Sequence, residues 1–584
     1  MAGRNWEKLG TDGTFSGTST VNYTYDNDSR LTQVTDPTGT YQFTFDNMGR
    51  LMGTSTQYAF LTSRTFTTSY GYDAASNRTT FTDPENGSSG YVYDTLNRLQ
   101  TLTPPTAFGT GSFGLGYDAL SRRTSLTRPN TVNTSYGYDT LSRLLSVTHA
   151  KGGATLDGAT YTVDNAGNRT AKSDLYAGVT TNYGYDAIYE LLNATQGGST
   201  TESYTYDPVG NRLTALGSAT WSYNTSNELN SRPGVSNTYD ANGNTTSKTD
   251  STGTANYSWD FENRMTSVTL PGSGGTVSFA YDPFGRRIKK ASSAGTSIFA
   301  YDGDNLIEET NSSGAAVARY SGGPNLDEPL AMLRGGATSF YQVDGLGAVT
   351  SLSNAAGSLT NTYAYDSFGK TTPTGSIVNS LQYTAREFDP ETGLYFNRAR
   401  YYDSQTGRFL SEDPSEFGGG DGNFYRYSYN DPTDFTDPLG LQTQAPTAPS
   451  PVKPAPPPTP KPTPRPIPTP RPTPTPEPIP PGEGLPILGP ILGAIGAVFI
   501  PMPAGPECLD VHGTANCPDK PPPCKDKDRA DKCDEQYAGE QGWCWSTFRG
   551  TKLLSACLDR AYWRWNNCRR GMPPPGPLDP RKWN

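Results

Sequence analysis

Seven cysteines, two histidines and a set of Asp-Pro dipeptides are the residues of this 584-residue chain whose types most directly suggest chemistry. The cysteines, Cys508, Cys517, Cys524, Cys533, Cys544, Cys557 and Cys568, all fall near the C-terminal end. Such a concentration points to a small disulfide-stabilised domain in an oxidising setting. Cys533 and Cys544 are separated by about three helical turns, and so are Cys557 and Cys568, so each pair shares one helix face. Gly550 stands where a turn between two helices belongs. The spacing predicts an α-hairpin stapled by Cys533–Cys568 and Cys544–Cys557, with one of the seven thiols left over. No Cys-x₂-Cys is present, which disfavours zinc. The two histidines, His149 and His512, are too few for a His-rich metal site. A Ser-His-Asp arrangement in the first 500 residues would rest on His149 alone. The run His149-Ala-Lys-Gly-Gly reads as a turn carrying a solvated imidazole. Neither a metal nor a cofactor is expected. Asp389-Pro390, Asp413-Pro414, Asp431-Pro432 and Asp437-Pro438 read first as turns, because Asp caps a turn and Pro fixes φ.

The elements that position these residues follow from composition and periodicity. Apolar residues make up 33% and charged residues 18%, both low for a packed enzyme. Thirty-six Tyr and 63 Gly, with much Thr and Ser, describe many short strands joined by turns. The net charge of −10 disfavours nucleic acid as partner of the whole chain. A unit of about 20 residues recurs from the N-terminal end, a period that marks an array. Examples are Tyr25-Asp26…Arg30-Leu31, Tyr93-Asp94…Arg98-Leu99, Tyr138-Asp139…Arg143-Leu144 and Tyr206-Asp207…Arg212-Leu213. Tyr23 and Tyr25 share one strand face, Asp26 ends the strand, and Arg30-Leu31 opens the return strand. One hairpin cannot bury its apolar face, so neighbours must stack into a long coiling antiparallel sheet. Recurrence in every unit assigns Tyr, Asp and Arg to architecture; carbohydrate binding by a Tyr ladder is the alternative.

From Tyr341 the pattern changes. Tyr341-Gln342-Val343-Asp344-Gly345 and Tyr363-Ala364-Tyr365-Asp366 are followed by Arg386-Glu387-Phe388-Asp389-Pro390-Glu391-Thr392-Gly393-Leu394-Tyr395. Arg398-Ala399-Arg400-Tyr401-Tyr402-Asp403, Gly407-Arg408-Phe409-Leu410-Ser411-Glu412-Asp413-Pro414 and Asp437-Pro438-Leu439-Gly440-Leu441 complete the block. The repeats resemble the YD repeat of the RHS family, and the block resembles the RHS repeat-associated core domain. That family includes bacterial polymorphic toxins, C subunits of insecticidal toxin complexes, and teneurins.

The resemblance implies an all-β fold: a long coiling hairpin sheet forming a hollow cocoon, with the core segment spiralling inward as a plug. In toxin members the plug is an aspartyl autoprotease that cuts once, in cis, after the final Asp-Pro-x-Gly-Leu. Carried over, the carboxylates are Asp413 and Asp437 and the cut lies between Leu441 and Gln442. Two carboxylates held close cannot both ionise easily, so one serves as acid and the other as base on a water. Toxin members often carry Arg before the first Asp; here that position is Glu412, and Arg408 is the candidate for the positive charge. Asp413-Pro414-Ser415-Glu416-Phe417 also lacks the Gly and Leu of the full motif.

The expected domains are a YD-repeat shell over 1–340, core and plug over 341–441, a Pro-rich linker over 442–483, an apolar segment over 484–506 and a Cys-rich domain over 507–584. The linker composition is that of extended polyproline. Residues 484–500 are apolar and uncharged, at the short limit for a membrane span, and packing inside the shell is favoured over a membrane helix. In the tail, Trp543, Trp545, Trp563 and Trp565 with Arg560, Arg564, Arg569 and Arg570 read as hairpin packing with solvated arginines, ahead of membrane or nucleic-acid contact. No catalytic motif stands out there. MAGRNWEKLG has no apolar h-region, and repeats that begin almost at once point to the C-terminal piece of a longer chain. The expected function is a secreted or cell-surface shell that houses its own C-terminal segment and releases it, in interbacterial competition or host interaction. Expected partners are that passenger, a secretion apparatus or N-terminal shell piece, an immunity protein and a target-cell surface. The competing reading is an uncut adhesion scaffold that binds glycans or proteins.

Overall fold

The computed structural model describes residues 2–9, 15–218 and 220–445, with side chains from residue 20 onward. The expected linker, apolar segment and disulfide-stapled hairpin lie outside the described residues.

Each repeat folds by local rules. The Asp26 carboxylate accepts the backbone N–H of Asp28 at 3.0 Å and of Arg30 at 2.9 Å, and its second oxygen takes Arg30 Nε at 2.6 Å. The Arg30 amide and guanidinium hold that carboxyl below its ordinary range, against the partial loss of water. Ser29, at φ 62°, supplies the left-handed residue that closes the turn. The arginine then reaches the next unit: Arg50 Nη1 donates to Asp73 O at 2.9 Å and its guanidinium lies 5.0 Å from the Tyr72 ring. Tyr72 Oη donates back to Leu51 O at 2.8 Å, and Tyr117 repeats this on Leu99 O at 2.8 Å. Tyr, Asp, Arg and Leu of the unit are thus the fasteners between successive hairpins, the architectural role expected of them.

Among the described residues, the strands within each sheet pair antiparallel with their neighbours in the chain. Nineteen strands, from Ala2–Leu9 to Arg212–Ala215, form a first sheet, and sixteen, from Ser222–Tyr223 to Thr371–Thr374, form a second. The ladder slips by one residue at the Tyr before each Asp, as at Thr24/Tyr25 and Gly71/Tyr72. Such bulges strengthen the local twist and coil the strip. The second sheet runs along the first, and the seam gives the geometry of the coil. Tyr58 bonds Phe299, 241 residues on; Arg128 bonds Tyr341, 213 on; His149 bonds Val343, 194 on; Lys172 bonds Asp344, 172 on; Glu202 bonds Ser367, 165 on. The shrinking separation means that the second lap is shorter than the first: the strip winds inward.

The core segment leaves the strip in stages. Strands Ala337–Val343, Val349–Ser353 and Leu359–Tyr365 still belong to the second sheet. From residue 387 the chain builds its own four-stranded sheet: Glu387–Asp389, Leu394–Asn397, Arg400–Asp403 and Arg408–Phe409. Every residue of the middle two strands is buried. Leu394, Phe396, Tyr401 and Leu410 pack with Met265, Val268, Val277 and Phe279 of the second sheet.

His149 departs from the sequence reading. It is fully buried on strand Leu144–Lys151, with Nδ1 2.8 Å from Thr134 Oγ1 and Nε2 3.0 Å from Val343 O. Burial, with Arg128 nearby, lowers its pKa to about 4, so it is neutral. The turn is confined to Gly152-Gly153, three residues past His149, and the imidazole joins the two laps. Among the described residues no helix is long and apolar enough to cross a membrane, and no group of His, Cys, Asp and Glu is arranged to hold a metal.

Candidate active site

Strand Arg400–Asp403 delivers Arg400 into the plug, where it is 2% exposed. Its guanidinium is used on every side. Nη2 lies 2.8 Å from Asp413 Oδ2 and 3.0 Å from Asp437 Oδ2. Nε donates to Gly440 O at 2.6 Å and Nη1 to Phe424 O at 2.7 Å, and the Phe409 ring sits 3.6 Å below. The two carboxylates are brought together by turns. Asp413 follows strand Arg408–Phe409, whose continuation is tied down by Leu410 N donating to Tyr401 O at 3.0 Å. Asp437 is fixed through its own carbonyl, which accepts Asn397 Nδ2 at 2.9 Å. Gly440 adopts φ +65°, and a Cβ there would meet Asn397 O at 2.4 Å, so the Asp-Pro-Leu-Gly turn requires glycine.

Burial acts on this trio. It raises the Asp413 pKa, with Asp437 adding to the rise, while Arg400 and the Ser415 hydroxyl and amide oppose it. Burial also lowers Arg400 itself, against both carboxylates. Asp413 is therefore biased toward holding a proton.

The bond between Leu441 and Gln442 lies across this pair. Thr436 and Gln444 exchange backbone hydrogen bonds of 2.8 and 2.7 Å, closing residues 437–443 into a loop that begins at Asp437. Within it, Asp437 Oδ1 accepts the N–H of Leu441 at 3.1 Å and of Gln442 at 3.2 Å. The Leu441 carbonyl oxygen accepts the Ser415 hydroxyl at 2.8 Å. A Cβ placed on Gly419 would lie 2.9 Å from Leu441 O, 3.0 Å from Asp413 Oδ2 and 3.0 Å from Ser415 Oγ. Three oxygens thus converge on a space that only glycine leaves open. Glu416, Asp421, Asn423, Arg426 and Thr443 also line the small cavity around the pair.

The structure brings Asp413, Asp437, Leu441 and Gln442 together and leaves Arg408 out. Arg408 Nη1 donates to Asn211 Oδ1 at 3.1 Å, Nη2 donates to Asn227 O, and the guanidinium lies between the Tyr223 and Tyr425 rings. It joins the plug to the strip, and Arg400 carries the charge at the pair. Glu412 turns away from the pair, beside Gly243 and the Tyr425 hydroxyl, so it adds no charge at the carboxylates. Sequence reading passed over Arg400 and Ser415. The available signal for Arg400 was an arginine inside the apolar run Arg400-Tyr401-Tyr402, which demands buried carboxylates. Cys533, Cys544, Cys557 and Cys568 lie outside the described residues.

A coiled hairpin strip that winds inward onto a buried plug defines a repeat-shell protein. The teneurin YD-shell family matches residues 170–433, and the RHS repeat matches residues 25–60 and 117–154. The chain belongs to the RHS/YD-repeat family. It is 31% identical over 254 residues to the tRNA3(Ser)-specific nuclease WapA of Bacillus spizizenii, a match covering 41% of this chain and 11% of that protein. It is 36% identical over 104 residues to the toxin protein Tse5 of Pseudomonas aeruginosa, covering 18% of this chain and 8% of the other. Among solved structures it is similar to TcdB2-TccC3-Cdc42, with a TM-score of 0.63 and 18% identity over 75% of this chain and 26% of that one. At that identity the likeness concerns the fold alone.

Proposed function

We propose that this chain is a shell that houses a C-terminal passenger and frees it by one self-inflicted cut between Leu441 and Gln442. The observation that carries the reading is the placement of that peptide bond. Its carbonyl is bonded to Ser415 and its N–H to Asp437, beside a second carboxylate bridged through Arg400. The chemistry is hydrolysis. Asp437 takes a proton from water as the oxygen attacks the Leu441 carbonyl carbon; Asp413, biased toward its protonated form, is the acid. When the C–N bond breaks, Asp437 returns the proton to the Gln442 nitrogen. The substrate is part of the same chain, so proximity supplies much of the rate and one turnover suffices. The passenger is residues 442–584. The kinship with a tRNA nuclease and a toxin supports an exported effector as its character, with the cysteines suited to an oxidising compartment.

Housing and cutting are tested together. Mass measured under denaturing conditions should give two fragments that meet at Leu441–Gln442, while native size exclusion should give one particle containing both. A single uncut chain would remove the release step and bring the adhesion scaffold forward. Two fragments that separate on the native column would remove housing.

A further inference from the structure

The chemistry above assigns an acid but no path from it to the carbonyl oxygen. Asp413 Oδ2 is already engaged by Arg400 at 2.8 Å. Its other oxygen, Oδ1, faces Ser415, accepting the Ser415 N–H at 2.8 Å and lying within hydrogen-bond distance of Ser415 Oγ. Ser415 Oγ in turn lies 2.8 Å from Leu441 O. The hydroxyl therefore stands between two oxygens but owns one hydrogen. The Leu441 carbonyl can only accept. If Ser415 donates to it, the contact with Asp413 needs a second hydrogen, and only a protonated Oδ1 can supply one. Both contacts are satisfied together by one arrangement: Asp413 Oδ1–H donates to Ser415 Oγ, and Ser415 Oγ–H donates to Leu441 O.

We propose that Ser415 is a catalytic residue, a hydroxyl relay that carries the Asp413 proton to the Leu441 carbonyl oxygen. The inference rests on the cleavage reading and adds a residue and a direction of proton flow to it. As water adds to the Leu441 carbon, the carbonyl oxygen takes the Ser415 proton and Ser415 takes the proton of Asp413. Asp437 holds the proton lost by the water. On collapse, the C–N bond breaks, the Asp437 proton goes to the Gln442 nitrogen, and a hydroxyl proton returns through Ser415 to Asp413. Water is the sole co-reactant, and both carboxyls end as they began. Gly419 leaves the approach open, since a Cβ there would stand within 3.0 Å of Leu441 O, Ser415 Oγ and the Arg400-bound Oδ2 of Asp413. Ser415 belongs to the first Asp-Pro segment, where this chain departs from the full Asp-Pro-x-Gly-Leu motif.

The test follows the appearance of cut chain during cell-free synthesis of the full-length protein, comparing wild type, Ser415→Ala and Ser415→Thr. Loss of one donor to a developing oxyanion slows such steps by about 10²-fold. Ser415→Ala should therefore cut about 10²-fold more slowly, and Ser415→Thr, which keeps the hydroxyl, should recover most of that loss. All three should share one melting temperature. Ser415→Ala cutting as fast as wild type overturns the relay and leaves the cleavage reading intact. Ser415→Thr as slow as Ser415→Ala also overturns it, because the site would then require the shape of serine and not its hydroxyl. A wild-type chain that never cuts overturns the cleavage reading and the relay with it.

Discussion

In the repeat strip, arginine and aspartate meet four residues apart and close to solvent; in the plug they meet across long stretches of chain in the interior. The Arg30–Asp26 pair keeps 27% and 25% of its side-chain surface, whereas Arg400 with Asp437 keeps 2% and 3%. A pair this close to solvent contributes little to stability and is screened by salt, so its value in the strip is positional: it closes the turn and points the guanidinium at the next hairpin. A buried charge is costly unless every group around it is satisfied. The plug meets that demand at Arg400, held by two aspartates and two carbonyls, and answers it in part at Arg287, which pairs with Glu387 and Asp389 while its Nε has no hydrogen-bond partner. The strip can therefore be extended unit by unit, while the plug tolerates one arrangement, which is what the proposed cutting of a single bond requires.

The largest break in this contrast comes from Arg400→Met. Removing the cation leaves two buried carboxylates and two carbonyls uncompensated, so chemical denaturation should show a loss of about 3–5 kcal/mol, with cleavage abolished. Arg400→Lys should not restore cleavage, because one ammonium cannot span four acceptors. Next is the pH response of the seam between the laps. Burial, with Glu202 nearby, raises the Asp366 pKa to about 7. Between its ordinary value of 3.8 and that value the folded chain holds a proton that the unfolded chain has released. Its contribution is thus full below that window and is lost as pH rises through it, on the order of 1 kcal/mol per pH unit. The denaturant midpoint should fall between pH 5 and 7, and Asp366→Asn should flatten that fall. Gly440→Ala forces a side chain into a left-handed position against Asn397 O and should cost about 1–3 kcal/mol, with slower cutting in the same time course. The smallest effect belongs to the strip: Arg98→Ala, which breaks the Arg98–Asp94 pair, should cost less than about 1 kcal/mol by thermal melting. An effect there as large as that of Arg400→Met would erase the distinction between the two regions.

The same contrast explains what could be read in the sequence. Tyr25, Asp26 and Arg30 do their work within one turn and repeat it, so spacing alone exposed the strip, its hairpins and its stacking. The inward winding was legible only through family resemblance, because it is set by bulges and seam contacts such as Tyr58 to Phe299, 241 residues apart. Asp413 and Asp437 entered the same way. Arg400 contacts groups from 13 to 40 residues further on, so its partners are not set by any local pattern, and Arg408, nearer in sequence to Asp413, drew the assignment instead. His149 departs from its sequence reading because a Gly-Gly turn three residues away dominates its local signal.

The central claim is that Asp413 and Asp437 cut their own chain. The most direct measurement is the intact denatured mass of wild type, Asp413→Asn and Asp437→Asn. Wild type should give two masses that meet at Leu441–Gln442, and each variant should remain one chain. A wild type that stays whole, or an Asp437→Asn chain that cuts as wild type does, would contradict it.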